Sequence, residues 1–318
     1  MTAPARAVGT LPAFDELPVL PESGTRHAWG LFGPDDELGT LNLLTPAVVR
    51  AGLDAAQTGE SIGLALDSDV IDPPLYGRRA ARHVVTESGP VVDDRLDDFF
   101  PQAASQWDGF GHHRCRAGAY GGVTAPPGPG RPRLGIHHWA RRGIVSRGVL
   151  LDVAHHRGAE APDPLVEGTI TPEELRAVAR AQGVHLRAGD VLCVRTGWLA
   201  TYRAAGSRVR ERLAADGARV ASLGLAATED TARLLWDARV AAVVTDNPAV
   251  EQTPGDPAVG SLHRRVLMSL GMPLGELFDL DHLAERCAAD GRWTFAFTAA
   301  PLTIVGGLGS TANALAIR

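Results

Sequence analysis

The sequence predicts one α/β domain. From Arg147 onward, short apolar runs alternate with amphipathic stretches, as strands and helices do in a layered fold. The 318 residues are 45% apolar and 21% charged, enough for one sizeable core, and neither a repeat nor a linker divides them.

The elements follow in order. Residues 1–44, rich in Pro, Gly and charge, read as an extended N-terminal arm, with the α/β domain over 45–318. Thr45-Pro46 opens a helix to Thr58, with proline at the first helical position. Ser61 to Asp67 reads as a strand. Asp72 to Arg133 holds Gly, Pro, His and Asp with few periodic runs, the mark of a long functional segment. Gly148 to Val153 reads as a buried strand. A capping box at Thr171-Pro172-Glu173-Glu174 starts a helix that ends at Gly183. Strands at Asp190–Thr196 and Val240–Thr245 flank a helix at Thr228–Asp237. Helices near Ser261–Leu270 and Asp279–Ala289 precede closing strands at Trp293–Thr298 and Leu302–Val305.

Composition excludes several functions. Net charge is -6 and the pI about 6.0, which favours neither nucleic acid nor anionic lipid. All 31 basic residues are arginine, so a P-loop lysine, a Schiff-base lysine and a lysine general base are ruled out. Cys115, Cys193 and Cys287 form no CxxC pair, which argues against a disulfide framework or a cysteine zinc site. The N-terminus lacks the apolar core of a signal peptide, and no apolar window approaches about 18 residues. A cytoplasmic protein without membrane contact is the expectation.

There is no GxSxG and no HExxH. Gly307 to Ala312 fits GxGxx[GA], but the six residues after it cannot supply the helix and strand of a dinucleotide site. The concentrated signal is Gln102 to His113, QAASQWDGFGHH. Gln106 and Asp108 are two apart and share one face of an extended segment, with Gln102 at an even offset. His112 joins that face if the chain stays extended through Gly109 and Gly111. Amide and carboxylate oxygens with an imidazole suit a divalent metal. A polar loop whose Asp and His satisfy turn amides is the plainer alternative. His263 lies on the inward face of its helix beside Val266, Leu267 and Leu270, where a histidine is more often a core residue than a ligand.

The Gln102–His113 stretch resembles the HxGTHxDxPxH signature of the cyclase family, metal-dependent hydrolases that include bacterial kynurenine formamidase and isatin hydrolase. Gln102 and Gln106 stand at its first two histidines, Asp108 at the aspartate, Phe110 at the proline and His112 at the last histidine. The resemblance continues through Trp29-Gly30, Gly39 to Pro46, Arg147 to Asp152, Thr245 to Glu251, Ala300-Pro301-Leu302 and Gly306-Gly307. A QWDG lineage of the family is related to its trans-dienelactone-hydrolase-like members. The resemblance implies a swivelling β/β/α fold and hydrolysis of an amide, imide, lactam or lactone. It implies one divalent ion, manganese or zinc, held by Gln102, Gln106, Asp108 and His263, and it places Glu276 at the metal site. His112 or Glu276 would move the proton of a metal-activated water. Trp29, Trp107 and Phe110, with His113, are candidate walls for a small-molecule substrate, although each aromatic would serve equally in a core.

Two other readings compete. The pocket could close or dehydrate a polyketide-like metabolite by acid–base chemistry without metal, or the chain could be a binding protein that has lost its ion. Leu11, Phe14, Leu17, Val19 and Leu20 in the arm need cover, and the resembling family is generally oligomeric. Both point to a homodimer or larger homo-oligomer.

Overall fold

The apolar runs become the middle of a nine-stranded sheet in the computed structural model, which describes residues 11–158, 161–166 and 168–318. The strands are β1 (Ser61–Gly63), β2 (Arg82–Ser88), β3 (Val91–Asp97), β4 (Gln106–Asp108), β5 (Ile144–Asp152), β6 (Gly168–Ile170) and β7 (Val191–Arg195). They continue with β8 (Leu223–Leu225), β9 (Ala242–Thr245), β10 (Leu274–Glu276), β11 (Thr294–Ala299), β12 (Gly309–Thr311) and β13 (Ala314–Ile317). The main sheet runs β1-β13-β11-β5-β7-β9-β10-β4-β12. Its centre, β5-β7-β9-β10, is parallel. The flanking pairs are antiparallel. Val149 to Leu151, Val191 to Val194 and Ala242 to Val244 are buried, as parallel strands covered on both faces require. The α/β class is therefore as the sequence implies.

Local signals set several boundaries. Thr45 caps the first helix by accepting from Val48 N–H, and that helix, Pro46–Leu53, stops short of Thr58. Thr171 likewise accepts from Glu174 N–H, while the Glu174 carboxylate pairs with Arg157 at 2.6 Å instead of reaching back. The strand expected over 61–67 shortens to β1. Leu302–Val305 is not a strand, and Ile304 and Val305 are exposed because no neighbouring strand pairs there. The segment read as irregular contains β4 and the hairpin β2–β3, whose side chains are almost all exposed. Short helices at His137–Arg142, Trp198–Ala204 and Ser207–Ala215 lacked a sequence signal strong enough to place them.

The described part of the arm lies on its own domain. Leu11, Phe14, Leu17 and Leu20 are buried, and only Val19 among the five apolar residues stays exposed. Asp237 accepts from Phe14 N–H at 2.8 Å, Trp236 Nε1 donates to Pro12 O at 3.0 Å, and Arg239 donates to Pro12 O at 2.9 Å. Arg26 and Arg233 stack on the Phe14 ring. The same chain thus supplies the cover that a partner was expected to give. Phe14→Ala should lower unfolding free energy by about 3–5 kcal/mol in urea titration, as for other buried phenylalanines. A loss below about 0.5 kcal/mol, the size of a surface substitution, would show that the arm only rests on the domain.

Candidate active site

The site is built on the β4–β10 ribbon. Gln106 lies opposite Glu276 and Asp108 opposite Leu274 in the antiparallel register. Directly opposed residues share a face, and alternation puts Gln106, Asp108 and Glu276 together. Trp107 between them points the other way, against the edges of Phe278 and Phe297. Gly275 lets the ribbon pack closely, since a Cβ there would lie 2.6 Å from Val244 Cγ1.

His263 hangs over the acidic face from a π-helical turn, His263–Ser269, where an ordinary helix was expected. Its Nε2 lies 3.3 Å from Asp108 Oδ2 and 3.2 Å from Glu276 Oε1. On the other side Nδ1 is 3.1 Å from Glu251 Oε1, and Glu251 Oε2 accepts the His263 backbone N–H at 3.0 Å. Three carboxylates therefore surround one imidazole. Burial opposes its charge, but Glu251, Asp108 and Glu276 outweigh that and raise its pKa well above the usual value. Burial also works to raise Asp108, yet His112, His263 and Gln102 together hold it below the ordinary carboxylate range. Glu276 goes the other way: burial and the adjacent Asp108 charge push it up, against the pull of His263 and Arg78. Val250, just before Glu251, and Leu277, just after Glu276, both have left-handed backbone, at φ 56° and 53°. Such strain persists only where the surroundings fix it.

Both glutamines reach the site, but not with the atoms expected of ligands. Gln106 Nε2 donates to Glu276 Oε2, and Gln102 Nε2 donates to Asp108 Oδ1 and to His112 Nδ1. The amide group that faces each carboxyl oxygen is the NH2 donor and not the carbonyl oxygen that would bind a metal. The glutamines hold the carboxylates in place. Gln106 Oε1 is buried without a hydrogen-bond partner.

The remaining candidates divide between site and core. His112 sits at the mouth with a third of its side chain exposed, Nε2 3.9 Å from Asp108 Oδ1. His113 packs 6.0 Å from the His263 ring, and burial together with the His263 charge lowers its pKa to about 4, leaving it neutral. Trp107 and Phe110 are fully buried, Phe110 against Tyr120 and Trp139, so they are core side chains and not the exposed substrate walls expected. Trp29 donates to Met268 O at 2.9 Å and props the far end of the His263 turn. Glu251 was visible only as the last residue of the Thr245–Glu251 landmark; nothing in its spacing tied it to His263. Asp246 accepts from Thr196 N–H, Thr196 Oγ1 and Gly197 N–H and acts as a buried clamp between strand ends.

Asp108, His263 and Glu276 each offer one donor atom, all within 4.8 Å of one another. Separations of 3.2 and 3.3 Å match those of ligands about 2.1 Å from a shared first-row ion. Glu251 occupies the position of the carboxylate that usually orients a metal-bound histidine. These residues fit a divalent cation.

The family model described as "Putative cyclase" matches residues 60–252. The chain belongs to the cyclase family. A solved structure described as a novel cyclase is 29% identical, with a TM-score of 0.81, over 92% of this chain and 99% of that one. Isatin hydrolase A from Labrenzia aggregata, bound to benzyl benzoate, is 17% identical with a TM-score of 0.54, over 81% of this chain and 93% of that one. Isatin hydrolase A from Ralstonia solanacearum is 15% identical with a TM-score of 0.55, over 86% and 98%. The two isatin hydrolases share the fold. No curated protein matches this cyclase, and among its described residues no helix is long and apolar enough to cross a membrane.

His263→Ala would leave buried carboxylates without their cation. Stability should fall by about 3–5 kcal/mol in denaturant titration at neutral pH, as when one partner of a buried pair is removed. A loss below about 1 kcal/mol would mean that the cluster is not held together by charge.

Proposed function

We propose that this cyclase is a hydrolase that opens an amide, imide, lactam or lactone in a small cyclic or aromatic metabolite, with one divalent cation held by Asp108, His263 and Glu276. The observation that carries this reading is the pair of buried carboxylate oxygens, of Asp108 and Glu276, that lie 3.3 and 3.2 Å from His263 Nε2, with Glu251 behind the ring. The oxygen-rich set suits manganese or zinc. Bound there, the ion would acidify a water molecule and polarise the substrate carbonyl.

The chain's own residues supply the rest. Glu251 keeps the proton on Nδ1 and turns Nε2 toward the donors. Cation binding requires Nε2 to release the proton it carries beside the carboxylates. Gln102 fixes the His112 ring through Nδ1 at 3.1 Å, leaving Nε2, 3.9 Å from Asp108 Oδ1, to carry a proton to the departing nitrogen or oxygen. Exposure of His112 lets it exchange that proton with solvent. We place the reaction in the cytoplasm and the chain in a homodimer or larger homo-oligomer, now motivated by the exposed β2–β3 hairpin, since an isolated two-stranded hairpin is marginal in water. A monomer in light scattering contradicts that assembly.

Elemental analysis of protein offered manganese and zinc should find about one ion per chain, and chelation should stop turnover of an activated lactone such as dihydrocoumarin. Asp108→Ala should lose both metal and turnover. His112→Ala should keep the metal and slow turnover by about 10²–10⁴-fold. Full activity in stripped protein would overturn the metal mechanism, and loss of metal in His112→Ala would make that residue a ligand.

A further inference from the structure

The loop at residues 75–78, packed beside the segments that carry Glu251 and Glu276, has no part in the chemistry above. Leu75 and Tyr76 pack in a small apolar cluster with Leu277, the residue after Glu276. Tyr76 and Gly77 are successive left-handed residues, at φ 61° and 69°. A tyrosine in that conformation costs on the order of 1 kcal/mol and needs its surroundings to hold it. The Tyr76 hydroxyl donates to Pro248 O at 3.1 Å, on the segment that ends in Glu251. The tight turn returns Arg78 across the tyrosine, its guanidinium carbon 5.2 Å from the ring centroid.

Arg78 is half-buried, yet among the described residues it forms neither an ion pair nor a side-chain hydrogen bond. The contrast is local, because Arg79 is tied to Asp98 at 2.6 Å. Arg78 feels Glu276 electrostatically but stacks on Tyr76 without pairing with it. A guanidinium offers five donors in a planar fork that matches a carboxylate, and among the described residues none of the five has a hydrogen-bond partner.

We propose that Arg78, presented on the Tyr76 ring, anchors a carboxylate of the substrate. The substrate class is then a ring amide or lactone that itself bears a carboxylate group. This assignment rests on the hydrolase reading for the bond that breaks, but the anchor is testable without turnover. Tyr76 supplies the apolar platform beside the fork, and the left-handed turn at Tyr76 and Gly77 returns the fork across it. The fork, not charge alone, makes the anchor, because a bidentate pair fixes the orientation of the ring to be opened.

Calorimetric titration of the full chain with benzoate and with benzamide separates the possibilities. Wild type should bind benzoate at least about tenfold more tightly, the effect of one charge-assisted pair. Arg78→Gln should erase that preference. Arg78→Lys, which keeps the charge beside Glu276 and guards against misfolding, should lose most of it. Equal binding of both probes to wild type, no binding of either, or a preference that survives Arg78→Gln or persists fully in Arg78→Lys would overturn the anchor. Failure of metal-loaded wild type to open a lactone that does bear a carboxylate, such as a dihydrocoumarin carboxylic acid, with the benzoate preference intact, would sink the hydrolase reading and leave the anchor standing.

Discussion

Asp108, Glu251 and Glu276 are buried around a single imidazole, and that concentration of negative charge governs the surrounding structure. A buried carboxylate costs several kcal/mol in lost hydration, so each must be matched by a cation or by donors. Every neighbouring element answers that demand. The β4–β10 register aligns the two strand carboxylates, the π-helical turn brings His263 between them, and the glutamines point their NH2 groups inward. The two ring nitrogens of His263 are shared among three acids, which leaves the cluster short of positive charge. A divalent cation in place of the Nε2 proton would supply it.

The replacement of two motif histidines by glutamine changes the character of the site. An imidazole can turn a lone pair toward a metal, whereas an amide beside an ionised carboxylate gains more by donating to it. Gln102 and Gln106 therefore brace Asp108 and Glu276. In the proposed site the donors would shift toward His263 and Glu276, which would leave coordination positions for water and substrate, as catalytic sites require. His112 keeps its place at the mouth because Gln102 holds it there.

How much was legible follows from the range of each interaction. Helix caps at Thr45 and Thr171 and the apolar strands β5, β7 and β9 are local and could be read directly. The three-residue strands β4 and β10 could not, because their pairing joins residues about 170 positions apart in sequence. Alternation correctly put Gln106 and Asp108 on one face. The same rule implies that Trp107 faces the core, where it packs on Phe278 and Phe297, so its place in the motif does not make it a pocket wall. His263 and Glu276 were found through family resemblance, and Glu251, Tyr76 and Arg78 needed the tertiary structure. The described arm looked unsatisfied only because its partners, Trp236, Asp237 and Arg239, are more than 200 residues away.

Anomalous diffraction from crystals grown with manganese tests the central claim most directly. The account predicts one strong peak about 2.1 Å from Asp108, His263 Nε2 and Glu276, with both glutamine amides still turned to the carboxylates. A peak bound by Gln102 and Gln106 without His263, or no peak within reach of Asp108, His263 and Glu276, would contradict it.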